Sequence, residues 1–218
     1  MDRRSELHAI LRASRVDREA LAKLFEEAPP EERIQLMESI DGREQARLWV
    51  AAEGGRVSID AMVPRECGAL VPVIFHGKNS LPLFTRFQKR FCRPPRGNAE
   101  EELWGYNHQP VRWLAPLTGP GYFVAYDCAD PRGSVAVDYR RIPTARPADW
   151  PELHDNRYRL SRLIYNGMVD YLRRVSDHLL IGRATRGDRE TDNYFLLCRE
   201  DPSPGQPRSG KQPSSSQA

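Results

Sequence analysis

The sequence predicts an α+β protein, with a helical N-terminal prefix over residues 1–55 and a β-rich core domain over residues 56–200. In the prefix, apolar residues recur every three or four positions, which is typical of amphipathic helices. After Val57, short β-branched and aromatic runs alternate with Gly and Pro, which is typical of strands and turns. Residues 201–218 are rich in Pro, Ser, Gly and Gln and hold no aromatic residue, so a disordered tail is expected there.

Four short helices are predicted in the prefix. Asp17 is placed to cap the second, Pro30 can open the third at its first turn, and Asp41-Gly42 ends it. Their apolar residues lie on single faces, so the prefix must pack on the body of the protein or on a partner. The residues that define these faces are Leu7, Ile10, Leu11, Leu21, Leu24, Phe25, Ile34, Leu36, Met37, Ile40, Ala46, Leu48, Trp49 and Val50.

Seven runs of the core domain are predicted to form a mainly antiparallel sheet or a small barrel. The last two flank a polar turn over Arg186–Asp192, so we expect them to pair as a hairpin. The predicted strands are Leu70–Phe75, Leu103–Tyr106, Val111–Leu114, Tyr122–Tyr126, Ser134–Arg140, Leu179–Ala184 and Tyr194–Cys198.

One long helix is predicted over Arg157–Ser176, packed across the sheet or plugging one end of the barrel. Asn156 is placed to cap it, and its apolar residues recur at three- and four-residue steps. These residues are Leu160, Leu163, Ile164, Met168, Tyr171, Leu172 and Val175. The polar residues Arg162, Asn166, Asp170 and Arg173 fall on the opposite side.

The segment Val73–Arg93 combines an apolar run, a polar turn at His76–Asn79 and a basic, phenylalanine-rich part. We predict a helix for the last part, whose apolar face comprises Leu83, Phe84, Phe87 and Phe91. A local cluster of positive charges favours an anionic group nearby. The basic residues of this 86–96 face are Arg86, Lys89, Arg90, Arg93 and Arg96.

Candidate ligand-binding residues come first from the turn. His76, Lys78 and Asn79 would present an imidazole, an ammonium and an amide at the end of a strand, which is how a mostly apolar pocket orients its ligand. Aromatic hydroxyl groups on the predicted strands need partners when buried, so they suit a cavity wall, although packing in a filled core also accounts for them. These residues are Tyr106, Tyr122, Tyr126 and Tyr139.

Composition narrows the class of protein. The net charge of +3 is too small for a general polyanion binder, and the phenylalanines near the basic residues are needed on a buried face, which argues against nucleic-acid binding. The four cysteines form no C-x-x-C pair, so no zinc site, redox motif or cofactor is predicted. With neither a signal peptide nor an apolar run of roughly 18 residues, we expect a soluble cytoplasmic protein without a membrane span.

No catalytic motif of high specificity is present. Ser80, His76 and Asp127 could be combined as a triad, but Ser80 lacks the surrounding glycines of a nucleophile elbow. His76 and Asp170 could serve as an acid/base pair, although a histidine is more often a hydrogen-bonded structural residue. No catalytic or metal-binding residue is therefore assigned.

The run Met168–Val175, followed by Leu180-Ile181-Gly182, resembles the closing segment of bacterial calycin-like families of uncharacterised function, including the GXWXG type. Those families also place a Gly-Lys near the start of a barrel, which Gly77-Lys78 resembles. The resemblance covers residues 70–199 and implies a small lipocalin-like barrel that holds an apolar ligand. The chain departs from the pattern because it has no Gly-x-Trp-x-Gly motif and has His76 where an aromatic residue is expected.

Three functions fit these observations. The leading hypothesis is a non-enzymatic binding protein with an internal pocket for an apolar molecule carrying an acidic group, held by Lys78 and by Arg173 or Arg174, and oriented by Asn79. The second is an interaction protein that docks an acidic partner through the basic 86–96 face, with strongly salt-dependent binding. The third is a hydrolase or isomerase that uses His76.

Overall fold

The computed structural model describes residues 2–81, 85–95, 101–108, 120–153, 167–187 and 189–201. Within these ranges the helices are α1 (Arg3–Arg12), α2 (Arg18–Glu27), α3 (Pro30–Ser39), α4 (Gly42–Ala51) and α5 (Ile59–Met62). The strands are β1 (Val73–Asn79), β2 (Arg86–Cys92), β3 (Glu102–His108), β4 (Tyr122–Asp130), β5 (Gly133–Asp138), β6 (Met168–Arg174), β7 (Leu179–Arg186) and β8 (Arg189–Arg199). None of these helices is long and apolar enough to cross a membrane.

The prefix helices start where their sequence signals indicate. The carboxylate of Asp17 accepts hydrogen bonds from two backbone N–H groups in the first turn of α2, donors that a helix start otherwise leaves unsatisfied. Pro30 is the first residue of α3. Asp41 follows the end of α3 and caps α4 through reciprocal hydrogen bonds with Glu44.

The eight strands form a closed antiparallel barrel, so the predicted fold class is confirmed. Each strand pairs with the next along the chain, and β8 returns to pair with β1, which leaves no edge strand. The predicted hairpin of the last two strands is also confirmed, because β7 pairs with β8 up to Arg186 and Arg189. Alternate residues of every strand point into the barrel and outward.

One end of the barrel is closed by the segment that contains α5. Its apolar side chains pack into the interior against those of the strands. Polar contacts hold the segment in place: the backbone N–H of Val57 donates to Ser134 Oγ at 2.8 Å, and that of Ile59 donates to Asp127 Oδ1 at 2.8 Å. The side chains of this apolar half include Ile59, Met62, Val63, Phe75, Phe91, Leu103, Leu172 and Leu197.

A second hydrophobic core lies outside the barrel, between the prefix helices and the last two strands. Leu21, Phe25 and Leu48 are among the helix residues buried there. They pack with outward-facing residues of β7 and β8, such as Ile181 and Leu196. The apolar faces predicted for the prefix are thus covered by the body of the protein itself.

The helix predicted around Phe87 and Phe91 is wrong, because these residues belong to strand β2. Positions four apart share a face in a helix and also in a strand, so the two phenylalanines fit both periods. Lys89, which lies between them, is buried on the same inner face, and only a period of two places all three residues together. The turn predicted at His76–Asn79 is also wrong, since β1 continues through Asn79.

The long helix predicted over Arg157–Ser176 is wrong where the structure describes it, because residues 168–174 form β6. Asp170 and Leu172 face the interior, and Tyr171 and Arg173 face outward, an alternation that the four-residue apolar spacing concealed. The first part of that helix with its Asn156 cap, the strand predicted at Val111–Leu114, and all but the first residue of the predicted tail lie outside the described residues.

Candidate functional site

A cluster of four polar side chains lies inside the barrel. Lys89 of β2, Asn107 of β3, Tyr139 just after β5, and Asp170 of β6 are each almost fully buried. We call these four residues the inner polar cluster. Since β6 lies four strands from β2 in the closed ring of eight, the contact between Lys89 and Asp170 bridges the interior from side to side.

Hydrogen bonds connect every member of the inner polar cluster. Lys89 Nζ donates to Asn107 Oδ1 and to Asp170 Oδ2, each at 3.1 Å, and also donates to the Tyr139 hydroxyl. The Tyr139 hydroxyl donates to Asp170 Oδ2 at 3.1 Å and accepts from Asn107 Nδ2 at 2.9 Å. The three protons of the ammonium therefore meet three acceptors.

Aromatic rings surround the ammonium of Lys89. Its Nζ lies 4.9 Å from the ring centroid of Tyr139, 5.0 Å from that of Phe195, 5.1 Å from that of Phe123 and 5.7 Å from that of Phe87. Ring faces attract a cation, and the attraction is stronger where water is absent. The rings therefore stabilise the charged form of Lys89 and also form apolar walls around the cluster.

Glycines make room for three of the phenylalanine rings. In each case the ring lies over a glycine that is its partner on the neighbouring strand, so closely that an added Cβ would fall within 2.5 Å of a ring atom. A larger residue would push the ring toward the barrel axis. The pairs are Gly77 with Phe87, Gly105 with Phe123, and Gly182 with Phe195.

Burial disfavours the charged forms of both ionisable groups in the cluster. It lowers the pKa of Lys89 and raises the pKa of Asp170, because a charge is poorly solvated in the interior. The attraction between the two opposite charges opposes both shifts without cancelling either. The uncharged forms of the amine and of the carboxyl are thus favoured more than they would be in water.

One oxygen of the cluster lacks a donor. Asp170 Oδ1 is buried, and no described residue makes a hydrogen bond to it, whereas Oδ2 of the same carboxyl accepts from both Lys89 and Tyr139. A buried acceptor without a donor costs about 1 to 3 kcal/mol. The cluster therefore offers a hydrogen-bond acceptor to a group that enters the barrel.

The three candidates on β1 lie away from the inner polar cluster. His76 and Lys78 are on the outer face: His76 Nε2 lies 3.1 Å from Glu200 Oε2, and Lys78 donates to the backbone carbonyl of Glu38 in α3. Asn79 is the last residue of β1, and its Oδ1 accepts from the backbone N–H of Leu81 at 3.0 Å. The structure does not bring these three polar groups together around one point.

The candidate tyrosines are divided between two sides of the barrel wall. Tyr106 and Tyr122 pack outside it with Trp150, with ring centroids 4.7 Å apart for Tyr106 and Trp150. Tyr126 lies outside as well, with the guanidinium carbon of Arg141 5.5 Å from its ring centroid. Tyr139 alone among the four tyrosine candidates joins the inner polar cluster.

Arg173, the eighth candidate, holds α4 on the barrel. Its guanidinium carbon lies 3.9 Å from the centre of the Trp49 ring, and its Nη1 donates to the Trp49 carbonyl at 2.8 Å. Nε of the same group donates to the carbonyl of Arg132 at 2.8 Å. The contacts of Arg173 therefore join the prefix to the outer wall.

The basic residues near β2 do not share one face. Arg86 is outward and bonds Glu38 at 2.9 Å, whereas Lys89 bonds Asp170 inside the barrel and Arg93 bonds Asp60 at 2.5 Å beside α5. Arg90 contacts Gln88 on the outer wall, and Arg96 lies outside the described residues.

The three residues considered as a catalytic triad are also dispersed. Ser80 follows the end of β1 and its Oγ accepts from the Tyr194 backbone N–H, while Asp127 bonds α5 at the other end of the barrel. Throughout the described ranges, no group of three His, Cys, Asp or Glu side chains is placed to hold a metal ion.

Sequence reasoning missed Lys89, Asn107 and Asp170 as site residues. A signal was present in β2, where a lysine stands between two phenylalanines at two-residue spacing, but a lysine is rarely fully buried, so the pattern favoured a solvent-facing charge. Family models, curated proteins and solved structures were compared with the chain, and none matches it. The eight-stranded antiparallel barrel is consistent with the calycin-like resemblance, and no comparison assigns the chain to that family.

Proposed function

We propose that this protein binds an apolar small molecule inside the β-barrel and holds its polar group at the inner polar cluster, without turning it over. The observation that carries the proposal is the buried oxygen Asp170 Oδ1, an acceptor with no donor among the described residues. The aromatic walls around it exclude water and suit an apolar body.

The ligand would enter at the end opposite α5. The interior phenylalanines are fully buried near α5, with Phe91 at 0% exposure, whereas Phe87 and Phe195 retain 9% and 6%. Both of these rings lie over glycines of the neighbouring strand, and we infer that a change of rotamer at either ring opens space beside Lys89. Ligand entry then replaces ring contacts with ligand contacts of the same apolar kind.

The cluster favours a ligand group that donates a hydrogen bond. Because the ammonium of Lys89 already meets three acceptors, it has no proton left for an incoming carboxylate, whereas Asp170 Oδ1 can accept from a hydroxyl. A carboxylic acid fits in its protonated form. We therefore expect the polar group of the ligand to be a neutral hydrogen-bond donor, and not the acidic group expected from the sequence. Lys89 and Asp170 replace Lys78 and Arg173 as the residues at that group.

Calorimetry with dodecanol and dodecanoate tests the proposal. We expect the alcohol to bind the intact protein about 10-fold more tightly than it binds the double variant Lys89→Met/Asp170→Leu, which is the worth of one buried hydrogen bond. Asp130→Asn is the matched control, because Asp130 is a carboxylate of β4 that pairs with Arg132 at 2.6 Å near the outer-face Tyr171. It should leave alcohol affinity unchanged.

Two results would overturn the proposal. One is the absence of binding for both amphiphiles, as expected for a filled barrel. The other is equal affinity of the alcohol for the intact protein and the double variant, which would place the ligand outside the cluster. Tighter binding of dodecanoate at neutral pH would show that a carboxylate, and not a neutral donor, is the group recognised.

A further inference from the structure

The inner polar cluster has the parts that imine chemistry requires. An amine attacks a carbonyl carbon through its nitrogen lone pair, and loss of water from the adduct requires an acid close by. Lys89 Nζ and Asp170 Oδ2 are 3.1 Å apart, and the Tyr139 hydroxyl bonds to both. The surrounding phenylalanine rings keep the site apolar, and burial lowers the pKa of Lys89 and raises that of Asp170, which makes the neutral amine and the protonated carboxyl accessible from the ion pair.

We propose that Lys89 captures an apolar aldehyde or ketone as an imine inside the barrel, with Asp170 as the proton donor and acceptor. This inference rests on the proposed function, because it requires the interior to admit apolar molecules. It adds a covalent step and a chemical class of ligand, an apolar carbonyl compound.

The reaction balances without an oxidant or a reductant. The Lys89 nitrogen forms a bond to the carbonyl carbon, and the carbonyl oxygen takes the proton of Asp170 to give a carbinolamine. Asp170 regains a proton from the nitrogen and transfers it to the hydroxyl, so the carbon–oxygen bond breaks and water leaves. The second nitrogen proton then returns to Asp170 or remains on the imine, where the Asp170 carboxylate is its counter-ion.

The other described lysines provide internal comparisons. Lys23 is exposed on α2 and lies 3.8 Å from Glu27. Lys78 is half-buried on the outer wall, where burial also lowers its pKa, but it donates to the Glu38 carbonyl, and no carboxyl group of the described residues bonds to it. Only four lysines are present in the chain, Lys211 being the last, so each amine can be identified individually.

Reductive trapping with dodecanal tests the inference. The intact protein is incubated with dodecanal and cyanoborohydride, which converts an imine into a stable secondary amine, and the modified residue is located by peptide mass spectrometry. We expect one alkyl group per chain, on Lys89. The variant Lys78→Met should be labelled like the parent, and Lys89→Met/Asp170→Leu should not be labelled inside the barrel.

Asp170→Asn tests the role of the carboxyl. The amide keeps the shape of the side chain and cannot supply a proton, so we expect trapping at Lys89 to slow by about 100-fold. Unchanged trapping in a folded Asp170→Asn variant would remove Asp170 from the reaction. If this variant does not fold, Tyr139→Phe replaces it, with an expected smaller decrease in trapping rate.

The outcomes separate the two proposals. Dodecanol binding at the cluster with no trapping, or with labelling spread over Lys23 and Lys78, overturns the imine alone. Failure of both dodecanol and dodecanal to occupy the interior overturns the binding function as well. Labelling of Lys89 in the intact protein supports both.

Discussion

The same eight strands form both halves of the barrel interior, yet the halves bury different chemistry. Near α5 the strands contribute Phe, Leu and Val side chains that pack with Ile59 and Met62. Farther along, the same strands bury Lys89, Asn107 and Asp170, with Tyr139 beside them. A buried ion pair is seldom more stabilising than apolar residues of similar size, so stability alone explains the first half and leaves the second unexplained.

The glycines reinforce this difference. Interior glycines under phenylalanine rings occur beside the inner polar cluster, where Gly77 and Gly182 pair with rings that retain some exposure. The α5 half is held instead by close contacts between large rings, such as the 5.4 Å between the centroids of Phe75 and Phe91. One half is packed by contacts between large side chains, and the other also packs rings directly on glycines of the neighbouring strands.

The largest effect is expected in the α5 half. Phe91→Ala removes a fully buried ring that contacts Phe75 and Phe123, and the cavity left behind should lower the free energy of unfolding by about 4 kcal/mol. Urea denaturation measures this change. Leu81→Ala, at a residue with 43% exposure, is the control and should cost under about 1 kcal/mol. Equal effects of the two substitutions would show that the α5 half is not tightly packed.

In the polar half, a single substitution should lower the free energy of unfolding somewhat less, and a second substitution should restore most of it. Lys89→Met leaves the carboxyl of Asp170 buried without its counter-charge, which should lower the free energy of unfolding by about 3 kcal/mol. Adding Asp170→Leu removes the unpaired carboxyl and should restore stability to within about 1 kcal/mol of the parent. Denaturant titration of the two single variants and the double variant measures the coupling. Additive losses would contradict the pairing of the two groups.

The smallest expected effect is on the pH dependence of stability, which should have opposite signs in the two single variants. In Lys89→Met, burial holds the pKa of Asp170 above its usual value, so the folded state binds more protons than the unfolded state and stability falls as pH rises. In Asp170→Leu, burial holds the pKa of Lys89 below its usual value, so the folded state binds fewer protons and stability increases with pH.

Each slope can reach about 1.4 kcal/mol per pH unit. Unfolding free energies measured at several pH values, from mildly acidic to mildly alkaline, give both slopes. The double variant serves as the control, since it lacks both groups and should lose both slopes. A flat profile in either single variant would show that its remaining group, Asp170 or Lys89, reaches solvent in the folded state and keeps its ordinary pKa.

The helical prefix could be predicted from sequence because its signals are local. Asp17 and Pro30 act within one turn of their own positions. The inner polar cluster could not be predicted, because Lys89 finds its partner Asp170 81 positions away in the chain. The four-residue spacing of Phe87 and Phe91 also fits a helix, and only the buried position of Lys89 identifies the strand. A lysine at that position predicted a solvent-exposed side chain, because lysines usually lie at the surface.

The way the barrel closes has a consequence for biosynthesis. The apolar faces of α3 and α4 are covered by β7 and β8, and β1 is paired on one side by β8. The first helices leave the ribosome long before the strands that cover them, because translation adds only about 5 to 20 residues per second. Barrel closure and docking of the prefix therefore both require β8, and neither can be completed before β8 has been synthesised.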